Sequence, residues 1–317
     1  MADQVDVVVV GLGVGGEETA GRLAQAGLRV VGIESRLVGG ECPYYGCIPS
    51  KMMIRAANLI AETRRVDGIA GTATVQPDWA PVAKRIREEA TDTWNDQVAV
   101  DRLVNKGATV IKDRGTITGP STVRVGDREY EATRGIVIAT GTIPSVPPID
   151  GLAGTPYWTN REAIEVETLP SSLLVLGGGA IGMELAQVFA RFGVQVTVIE
   201  GAPEVLSMEE PESGVLAREA LERDGVTFKL GAHAKQVGYA GDTFTVTLDD
   251  GSSASGEKLL VATGRRVATA DLGLDKVGLD PAARRIEVDE HVRAGDKVWA
   301  IGDVTGVGAF THNAMYQ

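Results

Sequence analysis

Two stretches of the chain carry the same order of apolar and polar positions. Val7–Val10 is a short apolar run; glycines follow, then an amphipathic stretch closing at Gly27, then a second apolar run that ends in Glu34. The same order returns 166 positions later, from Leu173–Leu176 through Gly193 to an apolar run ending in Glu200. Apolar runs this short, bounded by glycine, fit strands buried on both faces in a parallel sheet. The stretches between them fit helices closed by a left-handed residue, a role suited to Gly27 and Gly193. Each copy therefore predicts strand, glycine turn, helix, strand.

Gly11, Gly13 and Gly16 map onto Gly177, Gly179 and Gly182, Glu18 maps onto Glu184, and Glu34 onto Glu200. A lone G-x-G-x-x-G says little. Here each follows a strand, opens a helix and has an acid about 20 residues on, which completes the dinucleotide fingerprint. The first glycine makes the tight turn, the second admits a pyrophosphate, and the third lets helix pack on strand. The helix N-terminus then faces the phosphates, and the acid accepts from ribose hydroxyls. The duller alternative is two βαβ units whose glycines serve packing alone.

The predicted fold is α/β, with two Rossmann-like doubly wound dinucleotide-binding domains, the first discontinuous. Boundaries fall at 1–150 for the first part of the first domain, 151–264 for the second, and 265–317 for the return to the first. Between the copies, Ser50 to Lys106 reads as helical and charged. Thr109 to Ile138 reads as β-rich, with Gly115, Gly119 and Gly126 as turns. Ile143 to Gly151 is a proline-rich connector. Thr243–Leu248 and Lys258–Val261 read as strands, and Lys297 to Asp303 as strand then turn.

Composition narrows the partners. Gly makes up 40 of 317 residues, without a collagen period, so glycines belong at turns or close backbone approaches. The net charge of −12 disfavours nucleic acid and anionic membranes. No basic, cleavable leader opens the chain and no run approaches the length of a membrane helix, so a cytoplasmic location is expected. Two cysteines and three scattered histidines make a zinc site unexpected.

The two cysteines, Cys42 and Cys47, sit in Gly39-Gly-Glu-Cys-Pro-Tyr-Tyr-Gly-Cys-Ile-Pro-Ser-Lys51. Pro49 suits the first turn of a helix, and Lys51 shares a helical face with Cys47. A thiol at a helix N-terminus beside a cation forms thiolate readily. Three readings stay open on the residues alone: two core thiols, a small structural disulfide, or a redox pair.

Taken together, GGxCxxxxCxPSK after an N-terminal GxGxxG, then GxGxxGxE, an Ala-Thr-Gly and an Ile-Gly-Asp segment resemble the class I pyridine nucleotide–disulfide oxidoreductases. These are FAD enzymes of the dihydrolipoamide dehydrogenase and mercuric reductase kind. The resemblance covers the whole chain. It implies FAD on the first fingerprint, with Gly11, Gly13 and Gly16 at the pyrophosphate and Glu34 at the adenosine ribose. Gly115, Thr140 and Gly141 would lie near the flavin nucleotide, and Asp303 at its ribityl hydroxyls. The pyridine nucleotide would be held by Gly177, Gly179, Gly182, Glu200 and Gly264. Gly264-Arg-Arg-Val departs from the family's GRxPN at its last two positions. No arginine follows Glu200 to hold a 2′-phosphate, so NAD is expected over NADP.

The resemblance further gives Cys47 the charge-transfer role against the flavin and Cys42 the interchange role toward substrate. Lys51 would stand near the flavin, paired with Glu184 at a helix start, as a desolvated lysine requires; a solvated surface pair is the other reading. The implied activity passes electrons between NAD(P)H and a small-molecule or protein-bound dithiol or disulfide, in the manner of dihydrolipoyl dehydrogenase. A mercuric reductase, an NADH:quinone or dye diaphorase and a non-catalytic flavin-binding module are the competing readings. Family chains continue into an interface domain that supplies the homodimer contact and a His–Glu acid/base pair. This chain stops at Gln317, neither His291 nor His312 matches that histidine, and it is read as a fragment lacking the proton partner.

Overall fold

In the computed structural model residues 2–317 are described. The chain runs β1 (Asp3–Val10), α1 (Val14–Gln25), β2 (Val30–Glu34), α2 (Glu41–Tyr45), α3 (Cys47–Arg64), α4 (Ala80–Arg85), α5 (Gln97–Asn105), β3 (Thr109–Lys112), β4 (Gly115–Gly119), β5 (Thr122–Val125), β6 (Arg128–Ile138) and β7 (Thr142–Pro144). Then follow α6 (Asn160–Glu165), β8 (Ser172–Leu176), α7 (Ala180–Arg191), β9 (Gln195–Glu200), α8 (Pro211–Arg223), β10 (Thr227–Leu230), β11 (Ala234–Ala240), β12 (Thr243–Leu248), β13 (Ser253–Gly256), β14 (Lys258–Val261), β15 (Arg265–Val267), β16 (Arg293–Gly295), β17 (Val298–Ala300) and α9 (Thr311–Tyr316).

Packing divides these elements into two units. The first gathers the residues up to Tyr44, then Asp92–Ile143 and Arg266–Gln317. Its sheet has the order β16-β17-β6-β1-β2-β3, parallel from β17 to β3. Alternate side chains of β1 face opposite ways along a strand. Val8 and Val10 enter one core with Ile117, Val123 and Val125 of the β4–β5 hairpin, while Val7 and Val9 enter another with Ala20 of α1 and Leu103 of α5. Burial on both faces is the physical reason the strand reads as unbroken valine.

The second unit comprises Tyr45–Thr91 and Pro144–Arg265. Its parallel sheet has the order β10-β9-β8-β14, and the antiparallel meander β11-β12-β13 covers one face through Val237, Phe244, Val246 and Leu248. The order of the first unit, third strand, second, first, then a strand returning from a meander, is repeated here. In the first unit the meander strand and the returning strand are one element, since β6 pairs antiparallel with β5 and parallel with β1.

Three sequence expectations change. Residues 45–91, expected within a 1–150 domain, pack with the second unit, because α3 lies along α7 and Trp79 stacks near Phe189 and Phe192. The stretch 50–106 is not evenly helical: residues 86–90 form a π-helical turn, and Asp92, Thr93 and Trp94 follow with φ of 48°, 58° and 54°. Gly115 is not a turn but the first residue of β4, paired with Val125 and packed under Ile33 and Val10. Among the described residues, no helix is long and apolar enough to cross a membrane.

Candidate functional site

The glycine roles are visible in what a methyl group would meet at each position. At Gly11 it would lie 2.4 Å from the Ala139 carbonyl oxygen, and at Gly16 1.9 Å from that of Gly11. At Gly177 and Gly182 the distances are 2.5 Å to Ala262 O and 2.1 Å to Gly177 O. Gly13 and Gly179 meet nothing within 4 Å. The outer glycines of each trio are therefore demanded by backbone packing, whereas the middle one opens onto space, as a pyrophosphate site requires. Gly13 and Gly179 are extended residues that open α1 and α7, and neither helix start has a side-chain cap.

The two terminal acids are held alike. Glu34 accepts from the backbone N–H of Leu12 and of Arg36, each at 2.8 Å. Glu200 accepts from Gly178 at 2.5 Å and from Ala202 at 2.7 Å. Each carboxylate thus ties the end of the second strand to the glycine loop, and a carboxylate has further acceptor capacity beyond these bonds.

In the first unit, Ala139, Thr140 and Gly141 run behind Gly11. The Thr140 hydroxyl is buried without a hydrogen-bond partner, a state a buried polar atom rarely keeps. Asp303 accepts from the Thr142 hydroxyl at 3.0 Å. The open Gly13, the orphaned Thr140 hydroxyl and a carboxylate in one unit fit a polar cofactor with hydroxyl and phosphate groups, as FAD is.

Gly39 and Gly40 link this cradle to the cysteine segment. Gly39 N donates to Leu12 O at 2.7 Å, and a methyl group on Gly40 would lie 2.8 Å from the Cα of Gly13. Both have positive φ, 102° and 71°, so the close approach and the turn each call for glycine. Half-buried Cys42 follows on α2. Tyr44 is buried behind it, which pushes its phenol above its ordinary range, and its carbonyl accepts from the Trp94 indole at 3.3 Å.

In the second unit exposed Cys47 is the first residue of α3, one turn before Lys51. Lys51 donates to both carboxylate oxygens of Glu184, at 2.9 and 3.0 Å. The predicted partners meet, although Glu184 is the fifth residue of α7, past the first turn where the helix dipole acts. The side chains are 62% and 45% exposed, so the pair adds little stability and serves to hold the ammonium in place. Tyr45, two residues before Cys47, is gripped by α6 on three sides. Its carbonyl accepts from Asn160 at 2.8 Å, its hydroxyl donates to Glu165 at 2.9 Å, and Arg161 lies over its ring at 5.2 Å. A capping box between Thr159 and Glu162 fixes the start of α6.

Three features went unread in the sequence. Gly39 and Gly40 stood in the motif without a role. Ala262-Thr263-Gly264 repeats Ala139-Thr140-Gly141 behind Gly177, but at a different distance from its fingerprint, which hides it. Gly264 has φ of 107° and its carbonyl accepts from Ser145 N, so the turn survives the change in the residues after it. The grip on Tyr45 involves residues 115 to 120 positions away, which no local pattern signals.

A family model for pyridine nucleotide-disulphide oxidoreductases matches residues 5–317. The chain belongs to that family. The dihydrolipoyl dehydrogenase of Thermus scotoductus is 36% identical over 98% of this chain and 68% of its own length. The mercuric reductase of Acidithiobacillus ferrooxidans is 32% identical over 98% of this chain and 58% of its own. Among solved structures, the Cu(II) complex of the HOCl-induced flavoprotein disulfide reductase RclA from Escherichia coli matches with a TM-score of 0.88 at 29% identity. That match covers 99% of this chain and 69% of the other. As a pyridine nucleotide-disulphide oxidoreductase the protein is an FAD-dependent oxidoreductase with Rossmann-type domains.

Proposed function

We propose that this protein moves electrons between NADH and a dithiol or disulfide of the dihydrolipoyl kind in the cytoplasm, through FAD and the Cys42–Cys47 pair. In the reducing direction, NADH and one proton convert one disulfide into two thiols and leave NAD⁺. The observation that carries this reading is the contact of Gly39 and Gly40 with Leu12 and Gly13, which starts the cysteine segment at the open phosphate cradle of the first unit.

FAD, when bound, supplies a carrier that accepts a hydride on one side and delivers electrons to sulfur on the other. Gly11, Gly13, Gly16 and Glu34 would hold its adenosine diphosphate part, with Gly115, Thr140, Gly141 and Asp303 toward the rest. Gly177, Gly179, Gly182, Glu200 and Gly264 would hold the pyridine nucleotide. Cys47, at the start of α3, takes the flavin side of the dithiol, and Cys42 exchanges with substrate. Lys51 keeps a positive charge on the same helical face as Cys47, and Glu184 fixes that charge in position.

The visible spectrum tests this. Flavin-loaded protein given one equivalent of NADH should bleach in part and develop a long-wavelength charge-transfer band. Cys47→Ser should bleach without the band. Wild-type protein that binds flavin, is bleached by NADH and never develops the band overturns the reading.

A further inference from the structure

Gly201 directly follows Glu200, and no positive φ explains it. A methyl group at this position would lie 2.5 Å from Cε1 and 2.6 Å from Nδ1 of His233. The imidazole therefore occupies the place that a side chain at position 201 would take. Its backbone is fixed from two directions. β10 pairs in parallel with β9 so that Leu230 stands beside Glu200. Past that pair, Gly231 N donates to Ala202 O at 2.9 Å and Ala232 N to Glu200 O at 3.1 Å. On the other side His233 N donates to the Asp249 carboxylate at 3.1 Å, while Asp249 N donates to His233 O at 3.0 Å. The residue is exposed on its outer side, so the ring is both held and reachable.

The first cradle shows that this imidazole is not part of the shared scaffold. There Lys112 pairs with Glu34 as Leu230 pairs with Glu200, and three residues further on stands Gly115 where the second cradle has His233. The two sites share their glycines and acids and differ at the edge next to the acid.

In the dinucleotide fingerprint the acid reads the ribose hydroxyls, and the residues beside it meet the 2′ position. We propose that His233 is a specificity-determining residue of the second cradle, meeting the 2′ edge of the adenosine ribose beside Glu200 and favouring a 2′-hydroxyl over a 2′-phosphate. This rests on the proposed assignment of that cradle to the pyridine nucleotide. A neutral imidazole nitrogen can donate to or accept from a hydroxyl. The carboxylates of Glu200 and Asp249 repel a phosphate dianion at the same edge. Gly201 leaves the ring its place.

Titrations of NADH and NADPH against the flavin-loaded protein, its flavin reduced beforehand with dithionite so that no hydride transfer consumes the nucleotide, and followed by nucleotide fluorescence, test the assignment. His233→Ala should weaken NADH by about fivefold, the worth of one hydrogen bond. Gly201→Val, which evicts the ring, should reproduce that loss. His233→Arg should move the NADPH:NADH affinity ratio toward NADPH by at least about tenfold, through charge-assisted bonds to the 2′-phosphate. The absorbance of the oxidised flavin in each variant, recorded before reduction and before nucleotide is added, should match wild type, as a check that the first unit is intact. If wild type binds NADH and both His233 variants keep the ratio and the NADH affinity within about twofold of wild type, the proposal is overturned. If wild type binds neither nucleotide, or if Gly179→Val leaves NADH binding untouched, the assignment of the cradle fails and His233 loses its role with it.

Discussion

At the scale of single residues, the glycines of each cradle separate into two kinds that one amino-acid code hides. Gly16 has a carbonyl oxygen 1.9 Å from where a methyl group would go, while Gly13 has nothing within 4 Å. Gly16→Ala must push helix from strand, an overpacking expected to cost about 1–3 kcal/mol or more. Gly13→Ala should leave the urea midpoint of the flavin-free protein nearly unchanged and lose the flavin. Paired urea melts and absorbance spectra of the two variants check this. The trio was legible in the sequence because each demand is local, set by a turn and one neighbouring strand. Thr140 was legible only as part of a motif, since an unpartnered hydroxyl is a property of its surroundings. The left-handed run Asp92–Trp94 was not legible, because no glycine announces it and the surrounding packing imposes it.

Among elements, the choice of partner decides what the sequence leaves open. α3 reads as a helix from its own pattern, but that it lies along α7 depends on residues far away. One joint is the half-buried ion pair of Arg191 on α7 with Asp224 at the end of α8, at 2.9 Å, reinforced by Gln187 and by an Arg191 bond to Asn58 on α3. Asp224→Ala leaves the guanidinium short of its partner in a place largely closed to water. It should lower stability by about 2–3 kcal/mol, read as a shift in denaturant midpoint with an unchanged slope. The capping box of α6 adds a pH dependence. Burial raises the Glu162 carboxyl, but bonds from the Thr159 hydroxyl and N–H outweigh it and hold the group below its ordinary 4.5. Stability from this cap is therefore complete above pH 4.5 and is lost as pH falls through the lowered value. Glu162→Gln should flatten that part of the acid limb in urea midpoints measured from neutral pH down to about pH 3.

For the molecule as a whole, a doubled nucleotide-binding plan was readable in the repeat, whereas the grouping of residues 45–91 was not, because helix packing is non-local. If the first cradle holds flavin, stripping FAD should lower the first unfolding transition in calorimetry. Restoring it at a hundred times its Kd should return about 2.7 kcal/mol. The chain passes between the two units four times, after residues 44, 91, 143 and 265. The second passage enters directly on Asp92, Thr93 and Trp94, where the backbone takes the sense of rotation natural to the opposite hand of amino acid. A chain assembled by chemical ligation with D-threonine at position 93 would relax there instead of straining, and the hand of a single α-carbon would become a handle on the stability of that passage.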